Sequence, residues 1–245
     1  MSNGKEESYA NITAVILAGG KGTRLRSAVS DRPKVMAHVL GRPFISYLLD
    51  QLSKAGLARV VLSTGYKAEM VSEELGESYG KMTLSYSVED TPLGTGGGLR
   101  CALDLLESDF ILVLNGDSFS AFDLGEFLKW FSLDGRDAAI ALAKVPDVSR
   151  YGGVELNNDG AITSFVEKGA ETTGAGLINA GVYLLKRSLI AEIKDGVPFS
   201  LERELFPSLI NDGERLWGFP FEGEFIDIGT PESYANAESF FSDNQ

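Results

Sequence analysis

The stretch Ala18-Gly19-Gly20-Lys21-Gly22-Thr23-Arg24-Leu25 runs on to Arg32-Pro33-Lys34 and follows a short apolar segment, Ile12 to Leu17. The length and composition of that segment predict a buried strand. Three glycines within four residues, Gly19, Gly20 and Gly22, then let the backbone turn sharply and lie against a ligand. Free backbone N–H groups in such a turn form a concave anion site. Arg24 can grip a phosphate with two parallel hydrogen bonds, and Lys34 adds a mobile point charge. Strand, glycine turn and two cations together point to a nucleoside triphosphate held by its phosphates. The spacing is neither G-x-x-x-x-G-K-[ST] nor G-x-G-x-x-G, which sets aside a Walker loop and a dinucleotide fingerprint. A turn that merely joins strand to helix is the plain alternative, and the Arg and Lys that follow weigh against it.

Outward from this stretch, Pro43 is expected to open a helix that carries Phe44, Leu48, Leu52 and Ala55 on one face and ends at Gly56. Arg59 to Ser63 reads as a strand and Glu69 to Leu75 as a helix. Met82, Leu84, Tyr86 and Val88 alternate with polar residues, the pattern of a half-buried strand. A second glycine-rich stretch, Leu93-Gly94-Thr95-Gly96-Gly97-Gly98, opens a helix through Leu106. Phe110 to Leu114 is apolar throughout, as in the middle of a parallel sheet, and ends in Asn115-Gly116-Asp117. Strands alternating with helices predict an α/β fold, a Rossmann-like doubly wound and mostly parallel sheet. Ligands bind beyond the carboxyl ends of such strands. Both glycine stretches and Asp117 fall there.

The second half changes character. Ala138 to Val145, Gly153 to Asn157, Ala161 to Val166, Gly181 to Leu185 and Leu216 to Phe221 read as strands. Asn158-Asp159-Gly160 is a hairpin signal, and a helix is expected near Ser200 to Ile210. Phe225-Ile226-Asp227-Ile228-Gly229 precedes Thr230, which caps a last helix with Pro231 at its first position.

At 245 residues the chain suits one α/β domain with a sizeable core. A net charge of -13 speaks against nucleic acid as a partner. The one cysteine, Cys101, forbids an internal disulfide and fits a reducing compartment. The one histidine, His38, excludes a histidine-rich metal site. Residues 1–11 are polar and read as a flexible tail with no leader core, and no apolar run reaches membrane-spanning length. The expectation is a cytoplasmic protein with small-molecule substrates, no nucleic acid and no membrane partner, a homo-oligomer being left open.

Asp117 ends a buried strand behind a glycine, and Asp227 sits in a similar place. A lone Asp there is more often a turn or cap residue. Two at strand ends can share one Mg2+, which takes few protein ligands and fills its octahedron with phosphate oxygens and water.

The stretch from Leu17 to Leu25, with Pro33-Lys34, resembles the signature LAGGxGTRLxxxxxxxPK of the sugar-1-phosphate nucleotidyltransferases. The resemblance extends over residues 12–240. It implies the nucleotide-diphospho-sugar transferase fold as a single domain over 12–245, with a nucleotide-binding half (about 12–135) fused to a sugar-binding half (about 136–245). It implies that Leu17, Gly19, Gly20, Gly22, Thr23 and Arg24 hold the triphosphate and that Lys34 meets the reacting phosphates. Asp117 in NGD and Asp227 in DIGTP become ligands of Mg2+, with Arg24, Lys34 and Asp117 the catalytic set. Gly94 and Thr95 belong to the nucleotide side, and Glu89, five residues before Gly94, to the base edge. On the sugar side it implies Tyr151 and Gly152 (YG), Glu167 and Lys168 (EK), Asn179 (NAGVY) and again Asp117. One departure is Val35, where the family often carries Pro. Its side chain is expected to point away from the chemistry. Within the family, PLGTGG and EKG followed by GLINAGVYLL look most like the D-glycero-α-D-manno-heptose 1-phosphate guanylyltransferases. Mannose 1-phosphate guanylyltransferases are closer than thymidylyltransferases. A regulatory nucleotide-sugar sensor or a purely structural domain would not require Arg24, Lys34, Asp117 and Asp227 together, and all four are present.

Overall fold

The computed structural model describes residues 9, 11–132, 135–166, 173–213 and 216–243. The expected tail over 1–11 therefore lies mostly outside the described residues. Tyr9, within it, donates its hydroxyl to Gly125 O at 3.2 Å.

The first half runs β1 (Thr13–Leu17), a small hairpin β2 (His38–Val39) and β3 (Arg42–Pro43), α1 (Ile45–Lys54), β4 (Arg59–Thr64) and α2 (Ala68–Leu75). It continues through β5 (Ser78–Tyr79), β6 (Met82–Val88), α3 (Gly94–Cys101) and β7 (Phe110–Asn115). The chain then forms β8 (Ser118–Ser120), α4 (Leu124–Phe131), β9 (Ala138–Val145), β10 (Gly153–Leu156), β11 (Ile162–Val166) and β12 (Gly176–Lys186). It closes with α5 (Arg187–Ala191), a π-helical turn over Leu201–Leu205 leading into α6 (Phe206–Asn211), β13 (Leu216–Phe221), β14 (Phe225–Asp227), α7 (Pro231–Ala235) and α8 (Ala237–Asp243). No helix among the described residues is long and apolar enough to cross a membrane.

β6, β4, β1 and β7 lie side by side and parallel, so the chain moves outward from β1 in one direction and then returns to its other side. That reversal between β1 and β7 is the topological switch point, where ligands of open α/β sheets bind. Ala14 and Ile16 pack on one face of the sheet against α1, α4 and α8. Val15, Ile111 and Val113 pack on the other with α3, α5 and α6. Covering on both faces explains why β1 and β7 read as continuous apolar runs.

β7 is not in the middle of the parallel block. Its second neighbour, β12, is antiparallel, with Tyr183 opposite Val113. An apolar run records burial on two faces and carries no sign of strand direction. β12 also pairs with β9, and β9 pairs in parallel with β13, so one mixed sheet takes strands from both halves of the sequence. β12 begins five residues before the expected Gly181, because a register shift between Asn179 and Tyr183 interrupts its alternation. Pro43 lies in β3 rather than in the first turn of α1, while Gly56 at φ 79° ends that helix as expected. Along β6 the alternation fails at its end, where Val88 is 53% exposed. Thr230 caps α7 through a reciprocal pair with Ser233.

Candidate active site

The glycine loop leaves β1 at Leu17, and Ala18 donates to Ser63 O of β4 at 2.7 Å. Gly22 turns with φ 59°, a conformation that favours glycine, and the buried Leu25 pins the far end of the turn. With Lys34, Glu89, Pro92, Gly94, Thr95, Asn115 and Asp117, the loop borders a cleft of about 290 Å³ at the switch point. Leu17, Gly19, Gly20 and Gly22 line this cleft. Val35 lines it too and is only 3% exposed. The expectation that Val35 points away is therefore corrected: the turn over Lys34–Met36 directs it inward, close to Gly116.

Lys34 donates through Nζ to Asp117 Oδ2, and its side chain is only 12% exposed. Asp117 follows β7, and its carbonyl accepts from Ile228 N at 2.8 Å. β14 runs antiparallel to β8 with Asp227 opposite Ser118, so the two aspartates sit on adjoining strand ends. Asp227 Oδ1 accepts from Gly229 N at 2.9 Å, and Oδ2 lies 3.8 Å from an Arg150 guanidinium nitrogen. A methyl group on Gly229 would stand 2.7 Å from Asp227 Oδ1, 3.5 Å from the Arg24 guanidinium and 3.8 Å from Lys34 Nζ. Three side chains, two from the start of the sequence and one from its end, thus converge on one glycine.

This donor set fits a divalent metal. Both carboxylates are acceptors of hard oxygen type, and no group of three or more His, Cys, Asp or Glu side chains among the described residues makes an all-protein cage. A hard cation that retains water and phosphate oxygens needs no more than this pair.

Glu89 follows β6. Its Oε2 accepts from Leu93 N at 2.8 Å and its Oε1 from Ser63 Oγ at 3.3 Å. Burial pushes its pKa up, against the pull of those two donors. Each oxygen keeps a further lone pair for a ligand. Thr95 uses its hydroxyl inside the protein: it donates to Glu202 Oε2 at 2.7 Å and accepts from Leu201 N at 2.9 Å. The second glycine stretch is shaped by the same segment. A Cβ on Gly94 would lie 2.8 Å from Phe199 O, and one on Gly96 2.6 Å from the Phe199 ring. Both glycines make room for the Phe199 segment, and Gly94 also borders the cleft.

Of the residues expected on the sugar side, Gly152 has φ 83° and Tyr151 stands edge-on to Phe225 at 5.4 Å. Asn179 occupies the irregular part of β12 and donates to Tyr183 Oη at 3.2 Å. Glu167 and Lys168 lie outside the described residues. Thr23 is exposed on the loop, off the cleft wall. Arg150, Asn115, Tyr183, Glu202 and Gly229 escaped the sequence reading. Arg150 directly precedes the YG pair and Asn115 opens NGD, so both stood beside motifs already noticed. His38 is exposed, and its backbone carbonyl accepts from Tyr234 Oη at 2.6 Å.

The nucleotidyl transferase family profile matches residues 13–244. A D-glycero-alpha-D-manno-heptose 1-phosphate guanylyltransferase of Aneurinibacillus thermoaerophilus is 35% identical over 225 residues, covering 92% of this chain and 96% of that protein. A mannose-1-phosphate guanylyltransferase of Mycobacterium tuberculosis is also 35% identical, over 230 residues and 93% of this chain, which spans 64% of that longer protein. The crystal structure of HddC from Yersinia pseudotuberculosis complexed with GMP-PN superposes with a TM-score of 0.82 at 36% identity, over 94% of this chain and 99% of the other. With the profile covering nearly the whole length, the chain belongs to the nucleotidyl transferase family.

Proposed function

We propose that this protein joins GTP to a sugar 1-phosphate, giving a GDP-sugar and pyrophosphate, with D-glycero-α-D-manno-heptose 1-phosphate as the first substrate. The observation that carries the reading is the convergence of Arg24, Lys34 and Asp227 on Gly229, beside Asp117. Two relatives named for guanylyl transfer, each 35% identical, support the choice of base. An oxygen of the sugar phosphate attacks the α-phosphorus. The bond from that phosphorus to the bridging oxygen breaks, and pyrophosphate leaves. The attacking group is already an anion, so no side-chain nucleophile is needed, and the site works by positioning and charge. Arg24 holds the β- and γ-phosphates. Lys34 leaves Asp117 for the phosphate that develops charge. Lys168 places the sugar phosphate, while Glu167, Asn179, Tyr151 and Gly152 receive the sugar. Asp117 and Asp227 would hold Mg2+, which when bound neutralises charge between the two anions. Residues 12–135 serve the nucleotide and 136–245 the sugar, in a protein of the cytoplasm that meets its substrates as free small molecules.

The test is pyrophosphate release from each of the four NTPs against a panel of sugar 1-phosphates with Mg2+. GTP with the heptose 1-phosphate should be fastest. Mannose 1-phosphate is the second reading, because the mycobacterial relative matches at the same identity. Silence from every pair would remove the activity.

A further inference from the structure

A chain of partly buried hydrogen bonds joins the nucleotide side of the cleft to the sugar side, and the half-buried Glu202 is its centre. Its Oε2 accepts from Thr95 Oγ1 at 2.7 Å and from Ser200 Oγ at 2.9 Å. Its Oε1 accepts from Tyr183 Oη at 3.1 Å. The Tyr183 oxygen in turn accepts from Asn179 Nδ2 at 3.2 Å and from Asn115 Nδ2 at 3.4 Å. A carboxylate only accepts, so it fixes the sense of every bond around it. Both hydroxyls and the phenol must point their protons at Glu202. The phenol oxygen is then left with two lone pairs, and the two amides fill them.

Tyr183 is fully buried, at 0% exposure, in a position where phenylalanine would pack without any polar requirement. Burial also holds its pKa well above the ordinary phenol value, so it remains a donor. The irregularity in β12 brings the pieces together. Gly181, at φ 72°, leaves no room for a Cβ between Ser118 Oγ and Asn115 Nδ2, at 2.7 and 2.8 Å. Asn179 and Tyr183 thereby meet Asn115 at the end of β7. With its Nδ2 committed to Tyr183, Asn115 presents Oδ1, a buried atom without a partner among the described residues. Asn115 also lines the cleft. A buried acceptor without a donor is costly unless a ligand supplies one.

We propose that Glu202 and Tyr183 are positioning residues: they lock the amides of Asn115 and Asn179 in one orientation, so that the Asn115 carbonyl accepts a hydroxyl of the sugar 1-phosphate. This rests on the sugar-phosphate reading above. Glu202→Gln keeps the shape but adds donors. Its amide must either press a third donor on the phenol or reverse Thr95 and Ser200, and one bond is lost either way. Tyr183→Phe removes the shared acceptor.

Steady-state kinetics on both variants provide the test. Each should raise KM for the sugar 1-phosphate about tenfold, the loss of roughly one buried hydrogen bond. Tyr183→Phe should leave KM for GTP within about twofold, a split that general loosening of the fold would not produce. The double variant should be no worse than the weaker single one, because both act through one chain of bonds. A folded variant of either kind with wild-type KM for the sugar phosphate overturns the proposal, as does an equal rise in both KM values for Tyr183→Phe. A readout without turnover separates this idea from the activity itself. Side-chain amide protons of Asn115 and Asn179 should exchange slowly in the wild type by NMR and quickly in Glu202→Gln. Fast exchange in the wild type would refute the brace whatever the substrate, whereas slow exchange in a protein that releases no pyrophosphate would remove only the activity.

Discussion

Lys34 Nζ and Asp117 Oδ2 form an ion pair across 83 residues of sequence, joining the turn after the glycine loop to the end of β7. On the proposed reading, in which Asp117 would hold a divalent metal, the ammonium group and the metal would compete for one carboxylate, and a bound triphosphate would give Lys34 an anion of its own.

Lys34→Met should therefore act in two opposite ways. Turnover should fall roughly 100- to 1000-fold, as when one preorganised stabilising donor is removed. Affinity of the nucleotide-free protein for Mn2+, read by electron paramagnetic resonance, should rise, because Asp117 loses its competitor. Stability should change little, since the Asp117 side chain is 38% exposed and solvent screens the pair. Unchanged Mn2+ binding would show that Lys34 does not guard that oxygen.

Asp117→Asn and Asp227→Asn should each abolish metal-dependent turnover, since a neutral amide is a poorer ligand for a hard cation. The two are expected to differ in the free protein. Asp227 Oδ1 accepts the Gly229 N–H at 2.9 Å, and an Asn oxygen can replace it there. Asp117→Asn frees Lys34 as well. A metal titration with the same midpoint in either variant as in the wild type takes that residue out of the metal site.

Gly94→Ala tests why the second glycine stretch is glycine. Its φ is 75°, and the new methyl would lie 2.8 Å from the backbone oxygen of Phe199. Backbone cannot swing away as a side chain can. A destabilisation on the order of 1–3 kcal/mol is expected for a non-glycine residue held in that region. Thermal unfolding of the variant at wild-type temperature would mean that the 197–199 segment gives way easily.

Two physical signals made most of the first half of the chain legible. Strands covered on both faces are apolar at every position, as in Ala14-Val15-Ile16 and Ile111 to Leu114. Glycines followed by cations marked the turn at the switch point. What stayed hidden depended on distance or direction. The antiparallel neighbour of β7 leaves no trace in a run of apolar residues. Glu202 and Thr95 lie 107 residues apart, and nothing near Glu202 distinguishes it from the acidic residue at 204. The early start of β12 was masked because Asn179 and Gly181 interrupt the pattern just where the strand shifts register.

Glu89 offers a prediction in which pH and base preference move together. Guanine presents two adjacent donors, N1–H and the exocyclic amino group, and an ionised carboxylate can take both. Uracil presents one donor between two carbonyls that repel the charge. The paired contact is worth about 1–3 kcal/mol of discrimination, judged from bidentate base contacts elsewhere. Burial raises the pKa of Glu89, so it gains its proton at a higher pH than a free carboxyl would. A raised carboxyl pKa disfavours the charged form in the folded protein. The stability linked to the protonated form is present below the unfolded pKa and is lost as pH rises through the raised folded value. Glu89→Gln should accordingly raise the melting temperature slightly at neutral pH, and this gain should vanish in acid. The same variant should narrow the preference for GTP over UTP at neutral pH. In the wild type the preference should weaken as pH falls through the raised pKa, while in Glu89→Gln it should stay flat. Ratios of kcat/KM for the two nucleotides, measured across that pH range on both proteins, decide the matter. A wild-type ratio that does not change with pH would place guanine away from Glu89.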